Sequence, residues 1–273
     1  MDDRTFAGLA SIVIVLIWLV SLAFFGFGIT ATYLSFHYKS LEPAQAETAN
    51  SVNLDFEPPN GPQTNLQYLV DAWAKKQSFD SSIIIYDLDN GQVVASHNPD
   101  KIFFGASLYK LSVVYHGYKL VDSREWLLSG NLSAEQTVKE CLNLAISKSD
   151  SSCAERLLYL MNDKSIAKLD LSASDMINVL QKIWAREGIS NESWELLMDS
   201  MLNQPIDYRY GLPYGFKQSK VYNKVGYEED EYYHDSAIVV TPSGRAFAIA
   251  VLTNAFNYHQ IADLGRQIEQ KIL

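Results

Sequence analysis

Hydrophobic positions divide this 273-residue chain into stretches of different period. From residue 9 to about residue 33, Ile, Val, Leu, Phe and Trp dominate without any period, and no charged side chain stands between Arg4 and His37. Such a run is long enough to cross a bilayer as one helix. Ala44-Gln45-Ala46 resembles a signal-peptide cleavage site, but the run exceeds the usual apolar core of roughly 7–15 residues and Met1-Asp2-Asp3-Arg4 is not a basic cluster, so an uncleaved anchor is expected. Residues 40–63 are rich in Glu, Pro, Ala, Gln and Asn, with four acids and no base, and read as a disordered tether. The expected organisation is an anchor over 1–39, a linker over 40–63 and a folded head over 64–273.

Within the head the period alternates. Leu66, Leu69, Val70 and Trp73 predict a helix over 64–76, and the β-rich runs 82–86 and 92–95 flank Asn90-Gly91, a hairpin signal. Apolar stripes at helical spacing follow over 108–121, 134–146, 153–161, 173–186 and 192–201. Strands are predicted again over 221–227, 234–241 and 246–253, and Ile261, Leu264, Ile268 and Ile272 line one face of a closing helix. Two strands at the start and three at the end imply one five-stranded antiparallel sheet, flanked by the terminal helices. The inserted helices form an all-helical lobe, an α+β arrangement with a cleft at the seam.

Composition narrows the function. The hydrophobic fraction of 48% supports a real core, and the formal charge of −10 opposes general attraction to nucleic acid or anionic lipid. Cys141 and Cys153 match no zinc spacing and the five histidines are scattered, so neither metal nor cofactor is expected. Spacing does not decide whether the two cysteines pair or remain separate buried thiols.

Ser107-Leu108-Tyr109-Lys110 places a hydroxyl and an amine three residues apart, on one face if the segment is helical. A lysine can activate a serine only if burial or nearby positive charge lowers its pKa. Ser165 and Lys168 have the same spacing, where a solvated face is expected. Only Ser107 is followed, in order, by Ser149-Asp150-Ser151 and Lys224-Val225-Gly226. These elements resemble the S-x-x-K, S-D-N and K-T-G set of class A β-lactamases and penicillin-binding proteins, over roughly residues 65–273.

The resemblance implies that Ser107 is the nucleophile and Lys110 its proton acceptor. It makes Ser149 the bridge to the leaving nitrogen, and Lys224, with Ser151 and Gly226, the substrate-binding set. The backbone N–H groups of Ser107 and Tyr227 would form the oxyanion hole. Asp150 is expected to fix the turn, His234 to be a satisfied strand histidine, and Glu228-Glu229-Asp230-Glu231 to be a solvated turn. Apart from these implications, Ser107 could be a helix cap and Lys224 an edge-strand lysine that discourages aggregation.

Ser151 and Val225 depart from the family's Asn and hydroxyl residue, removing hydrogen bonds to substrate. The interval from Ser149 to Lys224 is short, and no Glu-x-x-Leu-Asn appears. Between residues 161 and 171 the acids are Asp163 and Asp170. The expectation is a membrane-anchored serine hydrolase, its head on the extracytoplasmic side, that is acylated by a lactam or a peptidoglycan peptide and released slowly. The competing expectation is a degenerate module that binds cell wall or a division partner.

Overall fold

The computed structural model describes residues 65–273, so the expected anchor and tether lie outside the described residues. No helix among the described residues is long and apolar enough to cross a membrane. The chain opens with α1 (Asn65–Lys76), β1 (Ser81–Asp87) and β2 (Gln92–His97), the strands joined through Gly91 at φ +68°. A two-residue strand β3 (Phe103–Phe104) and a 3₁₀ turn (Ala106–Leu108) lead into α2 (Tyr109–Asp122). The lobe continues with α3 (Val138–Ser147), α4 (Ser151–Met161), β4 (Asp170–Leu171), α5 (Ala173–Trp184) and α6 (Asn191–Leu202). The short α7 (Leu212–Gly215) precedes β5 (Lys220–Glu228), β6 (Tyr232–Val240), β7 (Ala246–Thr253) and the closing α8 (Tyr258–Ile272).

The main sheet is antiparallel in the order β2-β1-β7-β6-β5, which joins the two ends of the head as the pattern requires. Alternation splits its side chains between two cores. Ile83, Ile85, Phe247, Ile249 and Val251 face α1 and α8, where Val70, Trp73, Ile261, Leu264 and Ile268 are buried. Ile84, Ile238, Ala248, Ala250 and Leu252 face the helical lobe. Ala248 and Ala250 are small, so α5 can pack closely on that face.

Local chemistry sets the element ends. Helix α3 starts later than its apolar stripe suggests, because Thr137 and Glu140 close a capping box and Asn131 bridges to Thr137. Asp150 caps α4 by accepting the Cys153 N–H at 2.8 Å, the turn-fixing role expected of it. Cys141 and Cys153 form a disulfide with Cα atoms 4.8 Å apart, which joins α3 to α4. The β3–β4 ladder, Phe103 to Leu171 and Phe104 to Asp170, was not foreseen: two residues are too few for a period.

Candidate active site

Ser107 does not open the α-helix, as the pattern suggested, but sits in the 3₁₀ turn before it, half-buried. Ala106 just before it is left-handed, at φ +46°, and Ser149 across the cleft is left-handed at φ +53°. Non-glycine residues held there cost on the order of 1–3 kcal/mol each, and persist where surrounding contacts enforce them. Around Ser149 those contacts are N–H bonds from Lys148 and Asp150 to the Leu144 carbonyl, at 3.0 and 3.1 Å. At the Ser107 turn, Gly105 donates its N–H to the Leu169 carbonyl at 2.7 Å.

Lys110, in the first turn of α2, is buried with its Nζ 3.0 Å from Ser107 Oγ. The same amine reaches Ser151 Oγ at 2.9 Å, Ser149 Oγ at 3.5 Å and the Ser149 carbonyl. Burial pulls Lys110 down to about 8, against Asp150 and Glu155, which favour its charge. A neutral amine at this distance can take the serine proton. Lys224 donates to Ser149 Oγ at 2.9 Å and to the Val225 carbonyl at 2.8 Å. Burial, and after it the charge of Lys110, pulls Lys224 down to about 7 against the pull of Asp235.

Lys224 therefore corrects one expectation. It lies on the edge strand β5 yet is fully buried, beneath the lobe and 5.9 Å from the Tyr208 ring, so it is not an aggregation-blocking surface lysine. A side chain on an edge strand is buried whenever another element covers its face, and the strand's own pattern cannot reveal that cover.

Gly226 is the hinge of the geometry. A Cβ there would lie 2.4 Å from the Gly105 carbonyl oxygen and 3.1 Å from Leu108 N, so only glycine lets β5 touch the Ser107 turn. Tyr227 follows, opposite Tyr233. Tyr233 spends its N–H on the Ala255 carbonyl and its carbonyl on Thr253 Oγ1, both on the β7 side. The antiparallel alternation then points the Tyr227 N–H off the free edge of β5, toward the turn where the Ser107 N–H has no intrahelical partner.

The structure thus brings Ser107, Lys110, Ser149, Ser151, Lys224, Gly226 and Tyr227 together. The other Ser/Lys pair is solvated, with Ser165 bonded to Asp163 and Lys168 to Asp175. His234, opposite Gly226, is buried: Nδ1 accepts the Thr253 N–H at 3.0 Å, so the proton sits on Nε2 and goes to the Phe104 carbonyl at 2.9 Å. Sequence reasoning missed Glu155, one turn after Ser151 and so on the same face of α4; that i, i+4 spacing was the signal. It also missed the buried set behind β5, where Asp235 accepts from Asn223 at 3.0 Å and from the Leu212 N–H at 2.8 Å. Burial pushes Asp235 up to about 7 despite those bonds and the charges of Arg209 and Lys224. No cluster of metal-ligating side chains occurs among the described residues.

A profile of the "Beta-lactamase enzyme family" matches residues 64–170 and 161–273. Among solved structures, PBP-A aligns at 20% identity and TM-score 0.67, covering 79% of this chain and 98% of that one. A β-lactamase from Chitinophaga pinensis aligns at 16% identity and TM-score 0.68, covering 77% and 100%. A PBP-A variant solved as an acyl-enzyme complex with penicillin G aligns at 21% identity and TM-score 0.63, covering 79% and 98%. No curated protein sequence matches the chain.

Proposed function

The chain belongs to the beta-lactamase enzyme family, and from that premise we propose that it is a serine hydrolase acylated at Ser107 by a lactam or a D-alanyl amide. The observation that carries this reading is the hydrogen-bonded series Ser107–Lys110–Ser149–Lys224, assembled from the 3₁₀ turn, α2, the α3–α4 turn and β5. In the proposed step the Ser107 Oγ–carbonyl bond forms as neutral Lys110 takes the hydroxyl proton. The C–N bond then breaks, and the proton reaches the leaving nitrogen through Ser149. The Ser107 and Tyr227 N–H groups hold the developing oxyanion, where losing one donor typically costs about 2.7–4 kcal/mol. Relatives support the chemistry: a PBP-A variant is described as an acyl-enzyme with penicillin G.

Release is the slow step of this proposal. The segment tucked beneath the Ser107 turn contributes the Leu169 carbonyl and the Leu171 side chain, while Asp163 is spent capping its own turn and Asp170 is exposed on β4. The domain reading accompanies it: residues 1–39 anchor the chain in the membrane, 40–63 tether it, and the head from residue 64 works on the extracytoplasmic side. A reporter fused after Leu273 that proved cytoplasmic would end the topological part.

Intact mass spectrometry of the full-length chain with a penicillin and with a D-Ala-D-Ala peptide tests the chemistry. A persistent adduct that disappears in Ser107→Ala is expected. Absence of both adduct and turnover with either compound would instead favour the non-catalytic binding module.

A further inference from the structure

Resting on that acylation reading, we infer that Tyr208 is a further substrate-binding residue: its phenol hydroxyl receives the carboxylate on the leaving-group side, in place of the hydroxyl that Val225 lacks. A carboxylate leaving water needs a charged or hydroxyl donor in return. Val225 is buried with Val221 and Ala237 in the apolar core, so β5 offers no hydroxyl at that position. Tyr208, half-buried, reaches the same region from outside the strand. Its ring lies 5.9 Å from Lys224 Nζ and 6.3 Å from the Tyr227 ring, and its hydroxyl donates to the Lys148 carbonyl at 3.1 Å, one residue before Ser149. The phenol thus spans from the 3₁₀ turn Ile206–Tyr208 to the α3–α4 turn, beside the Lys224–Ser149 bond.

The backbone that carries this phenol is held firmly. The Tyr208 N–H goes to the Pro205 carbonyl at 3.0 Å, and its own carbonyl accepts Asn223 Nδ2 at 3.0 Å. Neighbouring Arg209 donates to the Leu202 and Val221 carbonyls at 2.9 and 3.1 Å. A hydroxyl so placed has only to turn its proton from a neutral carbonyl to an anion, and hydrogen bonds to ionised groups are roughly twice as strong as neutral ones. Lys224 adds charge from beneath: among the described residues Ser149 Oγ and the Val225 carbonyl engage its ammonium, which leaves a hydrogen unassigned. The lip sharpens the need for such donors. Burial raises the pKa of the Tyr227 phenol, and Tyr208, Asp207, Glu229 and Glu228 raise it further, so the exposed acids bear on this mouth. Exposed Lys148 stands against them. Recognition of an anion therefore falls to short-range donors, and Tyr208 supplies one from the cleft surface.

Benzylpenicillin and its methyl ester test this, because they share the lactam and the acyl group and differ in the carboxylate. Acylation of the full-length chain in detergent, wild type and Tyr208→Phe, is followed by intact mass, with a neutral fluorophosphonate as an independent probe of Ser107. The variant keeps the ring and removes only the hydroxyl. It should slow the acid about tenfold or more, the loss expected when a hydrogen bond to a charged group is removed, and slow the ester far less. An acid-to-ester ratio unchanged in the variant, or fluorophosphonate labelling without any penicillin adduct, overturns the inference while leaving the Ser107 nucleophile intact. No adduct from either penicillin or from the fluorophosphonate overturns the acylation reading and the inference with it.

Discussion

Lys110 must be neutral to accept the Ser107 proton, so acylation should accelerate as pH rises through about 8, the value to which burial brings this amine. Glu155 and Asp150 hold that value up, so Glu155→Gln should move the rising limb of the rate–pH profile to lower pH. Fluorophosphonate acylation rates across pH 6–10 read it directly; an unmoved or alkaline-shifted limb contradicts the assignment. His234 makes a second pH statement. Burial holds it down to about 4, although its bonds to Phe104 and Tyr233 favour charge, whereas in the unfolded chain it titrates near 6.5. Between those values the unfolded chain binds more protons, so this contribution to stability is complete above about 6.5 and is lost as pH falls toward 4. Asp235, raised to about 7, slopes the other way, so the wild-type curve alone mixes the two. The difference in Tm between wild type and His234→Phe isolates the histidine. That variant should lose about 1–3 kcal/mol at neutral pH, and the loss should shrink in acid.

Elements meet at the site with little slack. Gly226→Ala would drive a Cβ into the Gly105 carbonyl, a backbone atom that cannot swing aside, so β5 and the Ser107 turn must part. A fall in acylation of a hundredfold or more is expected if the Tyr227 N–H is displaced, a loss of the size seen when one oxyanion donor is removed, on the order of 2.7–4 kcal/mol. Far-UV circular dichroism should stay unchanged, separating loss of alignment from loss of fold. Much of this was legible in the chain. The stripes at Leu264 and Ile268 and the alternation through Ile83, Ile84 and Ile85 follow from burial periods that local sequence carries. The β3–β4 pairing was hidden because Phe103-Phe104 has no room for a period. The burial of Lys224 was hidden because Tyr208 and Ser149, which surround its amine, come from distant segments. The engagement of His234 was hidden because its partners, Phe104 and Thr253, lie far away in sequence.

At the scale of the molecule, the sheet separates two apolar cores, one closed by both chain ends of the head and the other by the inserted lobe. Ser107 and Lys110 come from the start of the lobe, Ser149 and Ser151 from its α3–α4 turn and Lys224 from the sheet, so the cleft exists only when lobe and sheet are assembled. Sequence order predicted that architecture, because strands at both ends must find one another. It left the cysteines undecided, since a separation of 12 residues permits pairing without requiring it. The Cys141–Cys153 bond clamps the two helices on either side of Ser149, and replacing both cysteines with serine should cost about 2–4 kcal/mol, read as a lower urea midpoint. Such bonds persist in oxidising compartments and are rare in reducing ones. Two preparations of the same polypeptide, one matured in a reducing cytosol and one exported, would then share every residue yet differ in how firmly Ser149 is held. The redox history of a sample thus becomes a variable of any inhibition measurement, to be recorded by thiol titration before rates are compared.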